Sequence, residues 1–183
     1  MKRLGLLRHA KSQDGDQIGR DYDRELNAKG RRAARTMGSY LANCTPHFDA
    51  LVASPARRVQ QTLESALEAM GDAAPRLREE DRRLYLATAE TLTEVAMEKG
   101  GDRQALLLVA HNPGLEDFVL DRVPEGAENP LREIVVTKFP TGAFALMEFD
   151  IEDWSELGDA QGRLIALIRP RDLDPTLGPE MMD

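Results

Sequence analysis

Two histidines and a small set of basic and hydroxyl side chains fall at places where they could act on an anion. Arg8-His9 follows the apolar run Gly5-Leu6-Leu7, and Ser54-Pro55 follows Ala50-Leu51-Val52-Ala53. His111-Asn112-Pro113 follows Leu106-Leu107-Leu108-Val109-Ala110. Each run reads as a buried strand, so the polar residues sit at three strand carboxyl ends. That is the edge of an open parallel sheet where ligands bind. Ser54 with Pro55 reads as a cap and first position of a helix, and Asn112-Pro113 repeats the arrangement. A helix start offers unpaired N–H groups and about half a positive charge. Arg58, in the first turn after Ser54, can reach back over the same edge. Arg8, Arg58 and two helix starts together suit a dianion such as phosphate. His9 beside them is a candidate nucleophile and His111 a second anion contact. Ser12 is either a phosphate contact or a loop hydrogen bond.

The elements that must position these residues are legible as alternating patterns. Strands are expected at 2–7, 49–53, 105–110, 143–149 and 163–168. Helices are expected at 28–42 (capped by Asn27), 55–70, 88–99 and 113–120. Ala33, Ala34, Met37 and Leu41 share one face of the first helix, and Val59, Leu63, Ala66, Leu67 and Met70 share one face of the second. Alternation of strand and helix implies an α/β three-layer sandwich, a mainly parallel central sheet with helices on both faces. The two late strands would add an antiparallel edge. A single domain is expected over residues 1–171. A tail follows over 172–183; the stretch 170–183, rich in proline and acid, reads as an unpacked terminus.

The 183 residues suit one core. With 42% hydrophobic and 31% charged residues, the composition is that of an ordinary soluble protein. The net charge of −8 repels nucleic acid and anionic lipid, so neither is an expected partner, and an anionic substrate needs a locally positive pocket. No run approaches the roughly 18 apolar residues of a membrane helix. The first apolar run is too short for a secretory signal. These features point to the cytoplasm. Cys44 is the one cysteine, with no basic cluster beside it, and reads as a structural thiol. His9, His47 and His111 lack the spacing of a zinc site, so no metal or other cofactor is expected. His47 follows Pro46 in a turn-like segment and reads as solvated.

Leu7-Arg8-His9-Ala10-Lys11-Ser12 resembles the Arg-His-Gly/Ala signature of the histidine phosphatase superfamily, the phosphoglycerate mutase-like fold. Ser54-Pro55-Ala56-Arg57-Arg58-Val59-Gln60-Gln61-Thr62 resembles its second motif, and Ala110-His111-Asn112-Pro113-Gly114 its third. Asp23 to Gly30 is similar to the segment that opens the first helix in such proteins, and Pro140-Thr141-Gly142-Ala143 resembles a segment of the short SixA-type branch. The resemblance runs to about Arg171. It implies a phosphohistidine intermediate on His9, with Arg8, Arg58, His111, Ser12 and Asn112 holding phosphate, and it selects Arg58 over Arg57. The SixA-type reading implies a phosphohistidine protein as substrate. The alternatives are a small phosphoester, or a phospho-ligand-binding module without turnover.

Two departures bear on the substrate. Asn112 stands where the phytase branch has an aspartate proton donor. The mutases carry a glutamate acid between the second and third motifs; here Glu79, Glu80 and Asp81 occupy that segment and the pattern singles out none of them. An alkoxide leaving group needs an acid, whereas a protonated imidazole leaves unaided. A pocket without an acid therefore suits phosphohistidine. The sequence leaves the oligomeric state open.

Overall fold

The computed structural model describes residues 1–14, 20–45, 47–126 and 129–179. Its six-stranded sheet has the order β3-β2-β4-β1-β5-β6. The strands are β1 (Lys2–Arg8), β2 (Ala50–Ala53), β3 (Leu77–Glu80), β4 (Ala105–Ala110), β5 (Phe144–Phe149) and β6 (Gly162–Ile168). β3, β2, β4 and β1 run parallel, while β5 and β6 add an antiparallel side. The centre falls on β4 because Ala-Leu-Leu-Leu-Val-Ala is apolar on both faces, and every one of its residues is buried.

Alternate β4 side chains feed two cores. Leu106 and Leu108 meet Leu92, Val95, Phe118 and Val135. These come from α3 (Ala89–Gly100), α4 (Gly114–Arg122) and α5 (Pro130–Thr137). On the other face Leu107 and Val109 meet Met37, Leu41, Val59 and Leu63. Those belong to α1 (Ala28–Leu41) and α2 (Arg57–Met70). The result is a three-layer α/β sandwich. No helix is long and apolar enough to cross a membrane, among the described residues.

Register carries the site. Arg8 pairs with Ala110, and Leu7 and Ala53 both pair with Val109 from opposite sides. The three parallel strands therefore end in step, and His9, Ser54 and His111 emerge at one edge. Asn27 caps α1 through a bond from Gly30 N, as its position predicts. At Gly30 a Cβ would lie 2.0 Å from Lys11 O, so only glycine lets α1 start against the loop after β1.

Four expectations are corrected. α2 starts at Arg57, not Pro55, and its cap is Ala56. Ser54 precedes a proline and stays out of the helix; its hydroxyl is used elsewhere. α4 likewise starts at Gly114, with Pro113 at the cap and no side-chain cap bond. β3, an exposed edge strand of sequence Leu-Arg-Glu-Glu, and α5 were not foreseen. The end of the chain is packed: α6 (Pro170–Leu173) and the turn Pro175–Leu177 bury Pro170 and Leu177. Contact with α1 holds it there, through Lys29 Nζ to Gly178 O and Arg32 to Thr176 and Asp174. The last four residues, 180–183, lie outside the described ones.

Candidate active site

His9 leaves the end of β1 with its ring turned so that Nδ1–H donates to the Ala10 carbonyl at 2.8 Å. A carbonyl only accepts, so this bond places the ring proton on Nδ1. Nε2 keeps its lone pair, and among the described residues nothing hydrogen-bonds to it. The loop is fixed from α2: Thr62 Oγ1 accepts from Ala10 N at 2.9 Å and donates to Arg58 O at 2.7 Å. One hydroxyl thus ties the histidine loop to the turn of helix that carries the arginine.

His111 stands 5.2 Å from His9 between ring centroids. Arg58 Nη2 donates to its Nδ1 at 3.2 Å. Guanidinium has no acceptor, so Nδ1 is bare and Nε2–H donates to Ser54 Oγ at 2.8 Å. Ser54 Oγ also accepts from Ala56 N at 3.3 Å. The hydroxyl expected to cap a helix is in fact the partner of the second histidine.

Both imidazoles are held neutral. Burial, opposed by the Ala10 carbonyl and reinforced by Arg58 and Arg8, brings His9 down to about 4. Burial, then His9 and Arg58, brings His111 down to about 3. Neutral His9 with a free Nε2 is the form able to attack an electrophile.

Arg58 is buried at 3% exposure, although it belongs to a helix turn that also carries the exposed Arg57. Its Nη1 donates to Asp21 O at 2.6 Å and its Nη2 to Asp21 Oδ2 at 2.9 Å. Tyr85 OH donates to the same Oδ2 at 2.8 Å, and its ring lies under Arg58 and edge-on to His111. Burial would raise the Asp21 carboxyl, but the Tyr85 hydroxyl and Arg58 outweigh it and hold it down to about 2. Arg8 donates from Nη1 to Phe139 O at 2.7 Å, and its Nε is buried without a partner among the described residues. Burial lowers its pKa, Glu116 raises it and Arg58 lowers it further. Asn112 Nδ2 joins the same carbonyl and Glu116 Oε2, both at 3.1 Å, which leaves its buried Oδ1 unpartnered.

Part of this cluster lines a cavity of about 620 Å³. Arg8, His9, Ser12, Arg58, His111 and Asn112 all reach it, whereas Arg57 does not. Arg57 instead pairs with Glu25 and Glu64 on the surface. Ser12 is buried and makes no side-chain hydrogen bond among the described residues. Glu79, Glu80 and Asp81 do not reach the cavity: Glu79 pairs with Lys99 at 3.0 Å and Asp81 with Arg83 at 2.6 Å. The one carboxylate lining it, among the described residues, is Asp14. Sequence reasoning missed Asp21, Tyr85, Glu116 and Asp14. Asp14, Asp21 and Tyr85 arrive from connecting segments, where only the fold reveals proximity, whereas Glu116 stands in the first turn of α4, four residues after Asn112, a spacing that points to it.

What the arrangement can do is hold a phosphoryl group between the half-buried Arg8 and the buried Arg58, in front of an unprotonated ring nitrogen. Comparison with known proteins agrees with that chemistry. The family described as histidine phosphatase superfamily (branch 1) matches residues 4–104. An uncharacterised protein of Mycobacterium tuberculosis is 31% identical over 166 residues, covering 90% of this chain and all of the relative. A SixA structure from Nakamurella multipartitia superposes with a TM-score of 0.80 at 24% identity, over 92% of this chain and 96% of that one. A SixA structure from Agrobacterium tumefaciens gives 0.74 at 26%, over 92% and 99%. The chain belongs to the histidine phosphatase superfamily (branch 1), in the fold of its short SixA-type members, and is a phosphatase.

Proposed function

We propose that this protein is a phosphohistidine phosphatase that works through a phosphoryl intermediate on His9 and needs no metal. The observation that carries the reading is the Nδ1–Ala10 bond, which leaves Nε2 as a bare nucleophile in the cavity that Arg8, Arg58 and His111 share. In the first step the Nε2 lone pair of His9 forms a bond to phosphorus and the bond from phosphorus to the substrate imidazole breaks. The departing ring is already protonated and needs no enzyme acid. Arg8 and Arg58 hold the equatorial oxygens and oppose the charge that builds on them. His111, neutral between Ser54 and Arg58, fixes the Arg58 fork beside them. In the second step water attacks phosphorus, the bond to His9 breaks and a water proton passes to the phosphate released.

The reading predicts acid-labile, base-stable phosphate on His9 after rapid quenching with labelled phosphohistidine peptide, read by mass spectrometry. His9→Ala abolishes both the label and turnover while its melting curve stays that of a folded protein. Wild-type turnover by the alanine variant would remove His9 from the reaction. Dialysis against EDTA leaves activity intact, because the arginines supply the positive charge a metal would bring.

Asp14 on the cavity wall favours a second reading, a small-molecule phosphomonoesterase with Asp14 as the acid. Asp14→Asn decides between them. Phosphohistidine hydrolysis unaffected by the change fits the first reading. A loss on alkyl phosphates, together with good alkyl phosphate turnover by the wild type, fits the second. A phospho-ligand-binding module would show stabilisation by phosphate with no turnover of any substrate.

A further inference from the structure

The cavity holds far more positive charge than one phosphoryl group requires. The chain as a whole carries −8, with 32 acidic and 24 basic residues. Yet eight lysine and arginine side chains line this one cavity against a single carboxylate. Arg8 and Arg58 belong to the site already described. Of the other six, three are spoken for: Arg24 donates to Asp21 and Gln13 O, Lys29 to Gly178 O, and Arg169 pairs with Asp172 at 2.7 Å. The remaining three are Lys11, Lys138 and Arg171. Among the described residues their side chains have no carboxylate or carbonyl partner.

They come from three separate parts of the chain. Lys11 stands in the loop after β1, Lys138 follows α5, and Arg171 lies in α6. No single amphipathic pattern brings all three to this cavity; the fold does, and the packed end of the chain supplies the third. All three are exposed side chains bordering the same hollow. Like charges around one hollow repel one another, and the carboxylates near them, Asp14 on the cavity and Asp172 beside Arg171, are fewer than an acid-rich surface could supply. A volume of about 620 Å³ lies in the range of sites for whole small molecules, well beyond the space of one phosphoryl group.

We infer that Lys11, Lys138 and Arg171 form a second anion subsite, so that the substrate carries another anionic group on the same molecule as the phosphoryl group. The inference rests on the proposed phosphoryl site at His9 and adds a selectivity to it. The second anion has two sources: an acidic side chain beside a phosphohistidine, or a further phosphate or carboxylate of a small molecule.

Matched substrates separate these. One pair is 4-methylphenyl phosphate and 4-(phosphonomethyl)phenyl phosphate, alike in leaving group and different by one non-hydrolysable dianion. The other pair is a phosphohistidine peptide flanked by alanine and the same peptide flanked by aspartate. An exposed ion pair alone changes an equilibrium by less than about fivefold. Three acting on one group give roughly tenfold preference in kcat/KM at low salt, which shrinks as salt is added. The combined K11A/K138A/R171A variant brings the ratio toward one; all three residues are exposed, so the fold survives, as a thermal melt verifies. A preference in the aryl pair assigns the second anion to small molecules, and a preference in the peptide pair alone assigns it to an acidic protein. No preference in either pair, or one that survives the triple substitution, overturns the inference. Titration calorimetry of His9→Ala with the same compounds keeps the two ideas apart. Selective binding without turnover by the wild type would sink the catalytic reading and leave the subsite standing.

Discussion

Arg57 and Arg58 are neighbours of one type in one helix turn, and their surroundings give them opposite roles. Successive helical residues point about 100° apart, so the buried face of α2 admits only one of them. Arg58 is buried, with Asp21 and His111 on its fork, while Arg57 sits outside with two surface carboxylates. Arg58→Ala is expected to lose on the order of 3 kcal/mol of transition-state stabilisation, roughly a hundredfold in kcat/KM. Arg57→Ala loses several-fold at most, since it acts only through long-range attraction. Arg58→Lys also falls far short, because one ammonium cannot engage the Asp21 backbone, its carboxylate and His111 together. Steady-state kinetics of the three variants on one aryl phosphate checks this. Equal losses at the two positions would mean that the Arg58 fork contributes nothing specific.

At the scale of elements, the binding edge was readable because three strands end in residues that no core wants. Arg8, Ser54 and His111 each interrupt an apolar run, and such an interruption has few structural excuses. β3 was unreadable for the converse reason. An edge strand exposed throughout has no alternation to display, so Arg78, Glu79 and Glu80 look like any solvated charge run. The helix starts failed differently. Ser-Pro and Asn-Pro are good cap signals, but both helices start past the proline, and the Ser54 hydroxyl accepts from His111 Nε2 and Ala56 N instead. Asp21 and Tyr85 lie 37 and 27 positions from Arg58, and nothing in local pattern links them.

Thr62 is where element packing meets the site. It belongs to the motif, yet its type alone does not tell that it bridges α2 to the loop after β1. Thr62→Val keeps shape and removes the acceptor for Ala10 N, which is buried. A buried donor left unpaired costs about 1–3 kcal/mol. The same change loosens Ala10, the residue whose carbonyl accepts from His9 Nδ1, so kcat falls along with stability. Thr62→Ser restores the hydroxyl and recovers most of both. Denaturant unfolding and kcat measured on the pair test it; a valine variant that loses stability but keeps full kcat would show that the tie serves folding only.

For the whole molecule, burying two neutral imidazoles at one edge has a thermodynamic consequence. His9 is brought to about 4 and His111 to about 3, both well under the ordinary value near 6.5. The unfolded chain therefore binds protons at these positions that the folded chain refuses. Between about pH 6.5 and pH 4 the unfolded state holds more protons, so stability is full above that window and declines as pH falls through it. Each histidine contributes a slope of roughly 1.4 kcal/mol per pH unit within its own window, and the two act together over most of it. Against a total of about 5–15 kcal/mol for a domain, that is a large part of the margin. Asp21, held to about 2, adds a further loss only below its unfolded value near 3.8. Urea unfolding at pH 7, 6, 5 and 4.5 should show the decline beginning near neutrality, not at the carboxylate range. His111→Asn should flatten the slope between pH 6 and 4.5 by about half, even if it lowers stability at every pH. A wild-type stability that stays level from pH 7 to 5 would mean that the two rings are not held neutral by burial, and the unprotonated nucleophile at His9 would lose its physical basis.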